Sequence, residues 1–460
     1  MGHGRVQNRY AFGLGTVGRD MLFATVNMFL LVYLTEILDL PDATMWYMTG
    51  ALTILRIFDA LNDPIMGVLV DNTHSRHGKF KPWIAIGGLA GGLMTVLLFS
   101  DLGFQGLGYV ASFVVIYLLW DLTYGANDIA YWSMLPALTQ DQGNREKIGA
   151  FAKICGSLGA YIVVVGILPI TSAMGGDKKA WFLFAAAVSV LSLAFILFTL
   201  LGVKENRGLY RGQETTSLRQ MFGVIFGNDQ LLCVALAMAV FMIGYCTTTS
   251  FGVYYFKYAY KNEGMYSIFA GVLGVSQLLA FILFPAISKR VKRGRLYAGA
   301  TIAMALGYLL MFLSPMNMIP IGAAGLLIFF SQAVIQMLML MFLSDTVEYG
   351  QWKLGKRNES ITFSIQPFIN KIGAAIASGI TSATLILTGI NSASTPDDVS
   401  GAGILGMKLA MLIFPLVMVA AGYFIYRKLF RIDREMYERI VSELSARGDL
   451  GAPGKKTEPS

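Results

Sequence analysis

The stretch Arg56-Ile-Phe-Asp-Ala-Leu-Asn-Asp-Pro64 decides what kind of protein this chain forms. The residues on both sides of it are nearly free of charge, so it lies inside a segment long enough to span a bilayer. Arg56, Asp59 and Asp63 are three and four residues apart and therefore project from one helix face. Charged groups inside a membrane are costly in lipid, so this face must look into protein or water.

The two carboxylates of this face predict a cation site. Asp59 and Asp63, held close together with little water, cannot both ionise cheaply, so the pair should capture a proton or a small cation. Asn62 adds an amide oxygen, and Pro64 cannot donate to the carbonyl one turn earlier, which leaves a further oxygen for a hard cation. The plainer alternative is a buried ion pair that only fixes helix packing, but Arg56 alone cannot neutralise two carboxylates.

The composition of the chain places it in a membrane. Its 460 residues are 55% hydrophobic and only 14% charged, with a mean hydropathy of +0.59, which excludes a soluble globular protein. Charge-poor stretches of bilayer length recur along the chain and predict twelve transmembrane helices. These spans are 11–36, 44–70, 83–101, 107–138, 147–171, 179–202, 230–256, 264–288, 296–315, 319–345, 359–390 and 402–427.

The distribution of Lys and Arg fixes the orientation of these spans. One side of the membrane receives only Lys178, Lys179, Lys257 and Lys261, whereas the other connections and both ends are crowded with basic residues. Both termini are therefore predicted to be cytoplasmic. The net charge of +8 follows from this topology and from attraction to anionic lipid, so a nucleic-acid partner has no support.

The longest inner connection divides the spans into two sets of six. We predict an N-terminal bundle over 1–202, a cytoplasmic middle loop over 203–229, a C-terminal bundle over 230–427 and a cytoplasmic tail over 428–460. The segment 143–149 after span four resembles the segment 355–361 after span ten, as expected for repeated halves. Two six-helix halves around a midplane cavity form the major facilitator architecture.

Polar side chains on span four predict the wall of that cavity. Asp121, Tyr124, Asp128 and Trp132 follow at intervals of three, four and four residues and so share one helix face. Carboxylates accept paired hydrogen bonds from vicinal hydroxyls, and an aromatic face packs on the apolar face of a pyranose, so this mixture suits a sugar. Taken alone, Trp132 is equally well explained as an interfacial anchor.

The chain resembles the glycoside–pentoside–hexuronide:cation symporters, the melibiose permease-like family of the major facilitator superfamily. The matching segments are 56–67, Asp71 and Ser75-Arg-His-Gly-Lys-Phe-Lys-Pro-Trp83, and further matches follow along nearly the whole chain. The resemblance implies an all-α polytopic protein of twelve helices in two six-helix halves. It also implies a symporter that couples glycoside uptake to sodium or proton influx by alternating access.

The resemblance also implies roles for individual residues. The family's sugar-recognition positions fall on Arg19, Asp20, Tyr124, Asp128, Trp132, Lys153, Gln366 and Lys371, with Gln336 where the family pattern has a tryptophan. That replacement makes melibiose doubtful as the substrate. Gly125 replaces a threonine that helps to ligate sodium, which leaves sodium and proton coupling both open. Asp121 replaces a glycine and receives no role.

Other charged residues are interpreted as gating or structural groups. They are Arg56, Asp71, Arg76, Arg145, Asp345 and Glu348. Asp345 and Glu348 should pair with the basic inner loops, although structural capping explains them almost as well. We expect Lys408 to reach the outer interface and the tail after Arg427 to lie along the membrane surface.

The sequence thus predicts a multi-pass protein of the cytoplasmic membrane that works as a monomer. It should need no cofactor apart from its coupling ion, Na⁺ or H⁺, and no metal other than a transported sodium ion. A lysolipid or other small-solute symporter of the same fold is an alternative, which the Asp-rich cavity argues against. An integral-membrane enzyme that uses Asp59 and Asp63 as acid and base is less favoured, because no intramembrane His or sizeable extramembrane domain supports it.

Overall fold

The computed structural model describes residues 2–38, 40–205, 217–262, 264–390, 393 and 395–450. The side chain of Arg56 lies outside the described part, as do those of fourteen other residues of these ranges, namely 2–6, 36, 42, 43, 49, 53, 57, 60, 218 and 219.

Long helices account for most of the described residues. The first part of the chain forms α1 (Gly2–Val32), α2 (Asp42–Asp71), α3 (Lys81–Leu98), α4 (Gly106–Leu138), α5 (Gln142–Ala173), α6 (Lys178–Gly202) and the short α7 (Leu218–Gly227). The second part forms α8 (Asp229–Tyr254), α9 (Met265–Arg290), α10 (Arg293–Leu313), α11 (Met318–Leu354), α12 (Glu359–Leu387), α13 (Gly401–Lys408), α14 (Phe414–Leu429) and α15 (Arg434–Ala446). Single π turns extend α1 and α8 and join α13 to α14.

The helices coincide with the predicted membrane spans. Among the described residues, eleven helical segments are long and apolar enough to cross a bilayer. The remaining predicted span, 44–70, forms α2, which is not among these eleven and carries Arg56, Asp59 and Asp63 within its sequence. Helix α2 continues through Pro64. The acidic pair therefore lies within one helix of 30 residues.

The chain folds into two compact units. The first comprises Met1–Val224, Gly350–Ser364 and Glu438–Ser460, and the second comprises Ile225–Tyr349 and Ile365–Tyr437. The first unit thus contains α1 to α6 together with the connection between α11 and α12 and most of α15. The divisions between the units fall within α7, α11, α12 and α15.

Glycines allow close helix contacts in the first unit. A Cβ atom at Gly18 of α1 would lie 2.5 Å from the Cα atom of Ser192 in α6. That contact is with backbone, which cannot move aside as a side chain can. Inside a membrane the hydrophobic effect does not drive helices together, because lipid is as apolar as their side chains. Small residues at such positions favour association because they let the helices pack closely.

A buried ion-pair network joins the loop after α2 to the N-terminus of α12. Lys79 Nζ lies 2.7 Å from Asp71 Oδ1 and 2.9 Å from Glu359 Oε2, and Arg357 also pairs with Glu359. Asp71 accepts hydrogen bonds from the backbone N–H groups of Ser360 and Ile361, at 3.0 and 2.8 Å. Burial alone would lower the pKa of Lys79, but the carboxylates of Asp71 and Glu359 outweigh it and raise this pKa.

The tail helix α15 packs against protein. Its apolar residues Ile440 and Leu444 are buried. Trp352 Nε1 donates to Glu443 Oε2 at 2.6 Å, and Gln351 Nε2 donates to the carbonyl of Asp449 at 3.1 Å. The expectation that this face lies along the membrane surface is therefore wrong, because protein covers it.

We predict that Lys79→Met strongly destabilises the protein. The substitution removes the ammonium that pairs with both buried carboxylates, Asp71 and Glu359, and breaking a buried pair in this way costs about 3–5 kcal/mol. The matched control is Lys178→Met, because the pair of Lys178 with Asp101 is exposed and such pairs contribute only about 0–1 kcal/mol. Thermal unfolding of both variants in detergent checks the difference; equal shifts would contradict it.

Candidate functional site

The site in the first unit is built around Arg19 of α1. Its guanidinium donates from Nη1 to Asp128 Oδ1 at 2.7 Å, and from Nη2 and Nε to Asp20 Oδ1 at 2.9 and 3.1 Å. Arg19 is only 4% exposed, whereas the side chains of Asp20 and Asp128 are 27% and 25% exposed. The arginine is thus fixed by two carboxylates that each keep an accessible edge for a ligand.

Two aromatic rings of α4 complete the surroundings of this arginine. The Arg19 Cζ atom lies 4.9 Å from the ring centroid of Tyr131 and 5.3 Å from that of Trp132. Lys153 of α5 brings its Nζ within 4.6 Å of the Trp132 ring. These distances are within cation–π range. Trp132 is 8% exposed and contacts two cations, an environment that does not fit a lipid-facing anchor.

Tyr124 belongs to the same face of α4 and is held by stacking. Its ring centroid lies 5.3 Å from that of Trp120 and 5.3 Å from that of Phe23, with interplanar angles of 9° and 27°. The neighbouring Trp120 donates from Nε1 to Thr95 Oγ1 at 3.1 Å. The ring of Tyr124 is therefore fixed in place one turn from Asp128.

A glycine of α5 makes room for Asp20. The Oδ2 atom of Asp20 occupies the space that a Cβ atom at Gly156 would need. A larger residue at this position would displace the carboxylate from Arg19. The first unit thus brings together five of the predicted sugar-recognition residues from three helices: Arg19, Asp20, Asp128, Trp132 and Lys153.

The predicted cation residues lie where α2 packs on α4. Asp63 and Asn62 are 1% and 4% exposed, and Asp59 is half-buried. A Cβ atom at Gly125 would lie 3.9 Å from Asp63 Oδ1, so this glycine faces the carboxylate. Asp121 is buried one turn earlier on α4. In the described part of the chain, no three or more His, Cys, Asp or Glu side chains have the geometry of a metal site.

The other predicted sugar residues belong to the second unit. Gln366 and Lys371 are half-buried on α12. Gln336 of α11 is half-buried as well, with its Nε2 atom 4.0 Å from Met242 Sδ.

The residues interpreted as gating or structural groups lie in different environments. Asp345 pairs with Arg293 at 2.6 Å, which is the predicted contact with a basic inner loop, and Glu348 is fully buried. Arg145 is also fully buried and donates from Nη2 to the carbonyl of Thr139 at 3.1 Å. Arg76 is exposed.

Several contact residues were not singled out from the sequence. The sequence places Lys79 in a basic loop and places Arg357 and Glu359 in a repeated segment, but it does not indicate that they form an ion-pair network. Nothing in the sequence indicates that Tyr131 lies beside Arg19. The repeated segment 355–361 was the available clue, because it carries both Arg357 and Glu359. Lys408, expected at the outer interface, donates to the carbonyl of Phe312 at 2.9 Å.

Comparison with known proteins identifies the family. The sequence profile described as MFS/sugar transport protein matches residues 11–434. The chain belongs to this family. It is 31% identical over 457 residues to the raffinose carrier protein of Pediococcus pentosaceus, a match that covers 95% of this chain and 71% of that protein. It is 32% identical over 455 residues to the lactose permease of Lactobacillus delbrueckii subsp. bulgaricus, with 96% and 72% covered.

Solved structures confirm the fold. A proton:xylose symporter bound to 6-bromo-6-deoxy-D-glucose matches with a TM-score of 0.65 at 14% identity, covering 95% of this chain and 98% of that one. The Escherichia coli fucose:proton symporter matches with a TM-score of 0.65 at 16% identity, covering 93% and 98%. The predicted major facilitator fold is correct, and the family is one of polytopic transporters of the cell membrane.

Proposed function

We propose that this protein is a symporter that takes up a glycoside together with Na⁺ or H⁺ by alternating access, acting as a monomer in the cell membrane. The observation that carries the proposal is the convergence of two carboxylates, two cations and an indole in the first unit. Relatives named for raffinose and lactose support a substrate of two or three sugar units.

The geometry suits recognition of one sugar ring. Arg19 engages a single oxygen, Oδ1, of both Asp20 and Asp128. Both carboxylates remain about a quarter exposed and can accept hydrogen bonds from hydroxyls of a sugar, and bonds to charged groups are stronger than those between neutral groups. The indole of Trp132 offers a face for the C–H groups of the ring, and Lys153 can donate to a ring or hydroxyl oxygen.

Helix α4 supplies the physical link between sugar and cation. Gly125 faces Asp63 of the cation region, and Asp128 follows within one turn and holds Arg19. A cation that neutralises Asp63 changes the force between α2 and α4, and any resulting shift of α4 moves Asp128. Because coupling between two ligands is reciprocal, bound sugar must then favour bound cation by the same factor.

The same-fold alternative is a symporter for a lysolipid or another small solute. The acyl chain of a lysolipid needs an apolar pocket. The site around Arg19 instead exposes the carboxylates of Asp20 and Asp128 and contains the cationic side chains of Arg19 and Lys153. These groups favour a neutral ligand rich in hydroxyls.

We predict that Asp128→Asn and Trp132→Ala each abolish or greatly weaken sugar binding. Losing a hydrogen bond to a charged group costs about 1.5–3 kcal/mol, which corresponds to a roughly 10- to 150-fold loss of affinity. The matched controls are Asp101→Asn and Trp46→Ala, which change exposed residues outside the site. Calorimetric titration of the purified variants with lactose and raffinose checks the prediction, and near-normal affinity in either site variant would refute the assignment.

The acidic pair should make sugar affinity depend on the coupling ion. We predict that Asp63→Asn removes the gain in sugar affinity caused by Na⁺ or by low pH, a gain of about 5- to 150-fold at typical coupling energies. Basal sugar binding should fall less than in the Asp128 variant, because Asp63 belongs to α2, whereas Arg19, Asp128 and Trp132 belong to α1 and α4.

Gly125 offers a matched pair of substitutions for the same test. Gly125→Ser places a hydroxyl near Asp63 and should strengthen Na⁺ dependence, whereas Gly125→Ala adds only the Cβ atom and should not. Sugar titrations in which sodium and pH are varied separately check both predictions. If Asp63→Asn keeps a full ion-dependent gain, the coupling site lies elsewhere and Asp121 becomes the next candidate.

A further inference from the structure

The short helix α7 belongs to the predicted cytoplasmic connection between the two sets of six spans and plays no part in the function described so far. A capping box fixes its first turn. Ser217 Oγ accepts the backbone N–H of Gln220 at 3.2 Å, and Gln220 Oε1 accepts the backbone N–H of Ser217 at 3.0 Å. This reciprocal pair specifies the start of a helix in the sequence itself.

The other end of α7 is fixed at the inner ends of two membrane helices. Asn228 alone separates α7 from α8, and its non-helical backbone (φ −95°, ψ 88°) turns α7 away from the direction of α8. Asn228 is 2% exposed. Its Oδ1 accepts the backbone N–H of Leu231 at 3.0 Å, and its Nδ2 donates to the carbonyl of Thr346 in α11 at 2.9 Å. Because α8 enters the bilayer from the cytoplasmic side, α7 ends at the level of the inner headgroups.

Two large aromatic side chains of α7 are uncovered. Phe222 and Phe226 are four residues apart and therefore share one helix face, and they are 59% and 66% exposed. Met221, on a neighbouring face, is only 6% exposed. One side of α7 is thus held by protein, while a second apolar side is open. A helix with an aromatic face at the level of the headgroups can bury that face among lipids.

The open face distinguishes α7 from the tail helix α15. In α15, protein covers the apolar residues Ile440 and Leu444, so these side chains cannot bind lipid. In α7 the corresponding apolar surface, Phe222 and Phe226, remains exposed. Of these two helices, α7 therefore has the surface that suits a membrane.

The charge of the connection complements an anionic membrane. Residues 203–227 contain four basic and two acidic residues, namely Lys204, Arg207, Arg211 and Arg219, and Glu205 and Glu214. Glu205 is half-buried and accepts the backbone N–H groups of Lys79 and Lys81 at 2.9 and 3.1 Å, so protein engages its charge. Arg219 precedes Phe222 by three residues. Basic segments beside a bilayer are attracted to the anionic lipids of the inner leaflet.

We propose that α7 is an interfacial anchor that binds anionic lipids of the inner leaflet through Phe222, Phe226 and the basic residues of the connection. The 10 residues of α7 form a helix about 15 Å long, and such helices bury their apolar face about 5–10 Å into the boundary between headgroups and acyl chains. The division between the two compact units falls between Val224 and Ile225, inside α7. The anchor thus holds the chain that connects the units at the membrane surface, whatever sugar or ion is transported.

Nitroxide labels test where α7 lies. Phe222→Cys and Phe226→Cys are labelled separately in the full-length protein, which is reconstituted into vesicles of phosphatidylcholine and phosphatidylglycerol. Collisions of each label with oxygen and with a water-soluble nickel chelate are then measured, and the unaltered protein gives the background from its three cysteines. The matched control is Glu435→Cys, on the exposed side of α15. Labels at 222 and 226 should favour oxygen, and the label at 435 should favour the chelate.

The composition of the vesicles tests the preference for anionic lipid. In phosphatidylcholine alone, or at high salt, collisions with the chelate at 222 and 226 should rise at least about twofold, because the attraction between charges is lost or screened. A double variant, Phe222→Ser with Phe226→Ser, provides a test without labels. It should unfold at the same temperature as the unaltered protein in detergent, since both rings are exposed, and phosphatidylglycerol should stabilise it less.

Three results would overturn the proposal. Equal access of the chelate to positions 222, 226 and 435 would place the exposed face of α7 in water. Shielding of 222 and 226 from both oxygen and the chelate would show that protein, from this chain or from a second copy, covers the rings. Labels that lie equally deep with and without phosphatidylglycerol would refute anionic lipid as the partner.

Discussion

The high cost of an uncompensated charge away from water governs how this protein arranges its ionisable residues. Arg19 is held between Asp20 and Asp128, and Lys79 is held between Asp71 and Glu359. The two groups differ in how much water can reach them. Lys79 and its partners are almost completely buried, whereas Asp20 and Asp128 are about a quarter exposed. The first group therefore suits a structural role and the second a binding role.

The cost of an uncompensated charge also explains how sugar binding can be linked to cation binding. Two carboxylates on α2 and the charged residues around Arg19 are tolerable only if their charges are neutralised by one another, by ions or by ligand contacts. Helix α4 meets both places, since Gly125 faces Asp63 and Asp128 contacts Arg19. On the proposed function, a change of charge on one side of the helix would be transmitted over a single turn. The link requires only a small movement of a rigid element that both ligands touch.

Much of this organisation could be predicted from the sequence because it is local. The positions of the spans follow from hydropathy over windows of about 20 residues, and the face formed by Tyr124, Asp128 and Trp132 follows from helical spacing. Ionisable residues inside apolar segments are conspicuous, so Arg19 and Asp63 stood out. The resemblance to a known family then named the function that these residues suggested.

Contacts between distant parts of the chain could not be predicted in this way. Glu359 is far in sequence from Lys79, and no local pattern shows that they pair. The tail helix is amphipathic, which is equally consistent with lipid and with the protein surface that in fact covers it. Gln277 and Gln332 are isolated amides in apolar helices, and only the folded chain shows that Gln277 donates a hydrogen bond to Gln332.

Uptake into proteoliposomes shows whether sugar and cation move together. Purified protein is reconstituted, and the accumulation of labelled lactose or raffinose is followed with an imposed sodium gradient, an imposed pH gradient or neither. We predict that one of the two gradients drives the sugar above its external concentration and that an ionophore for that ion abolishes the accumulation. Entry that stops at the external concentration under both gradients would contradict it.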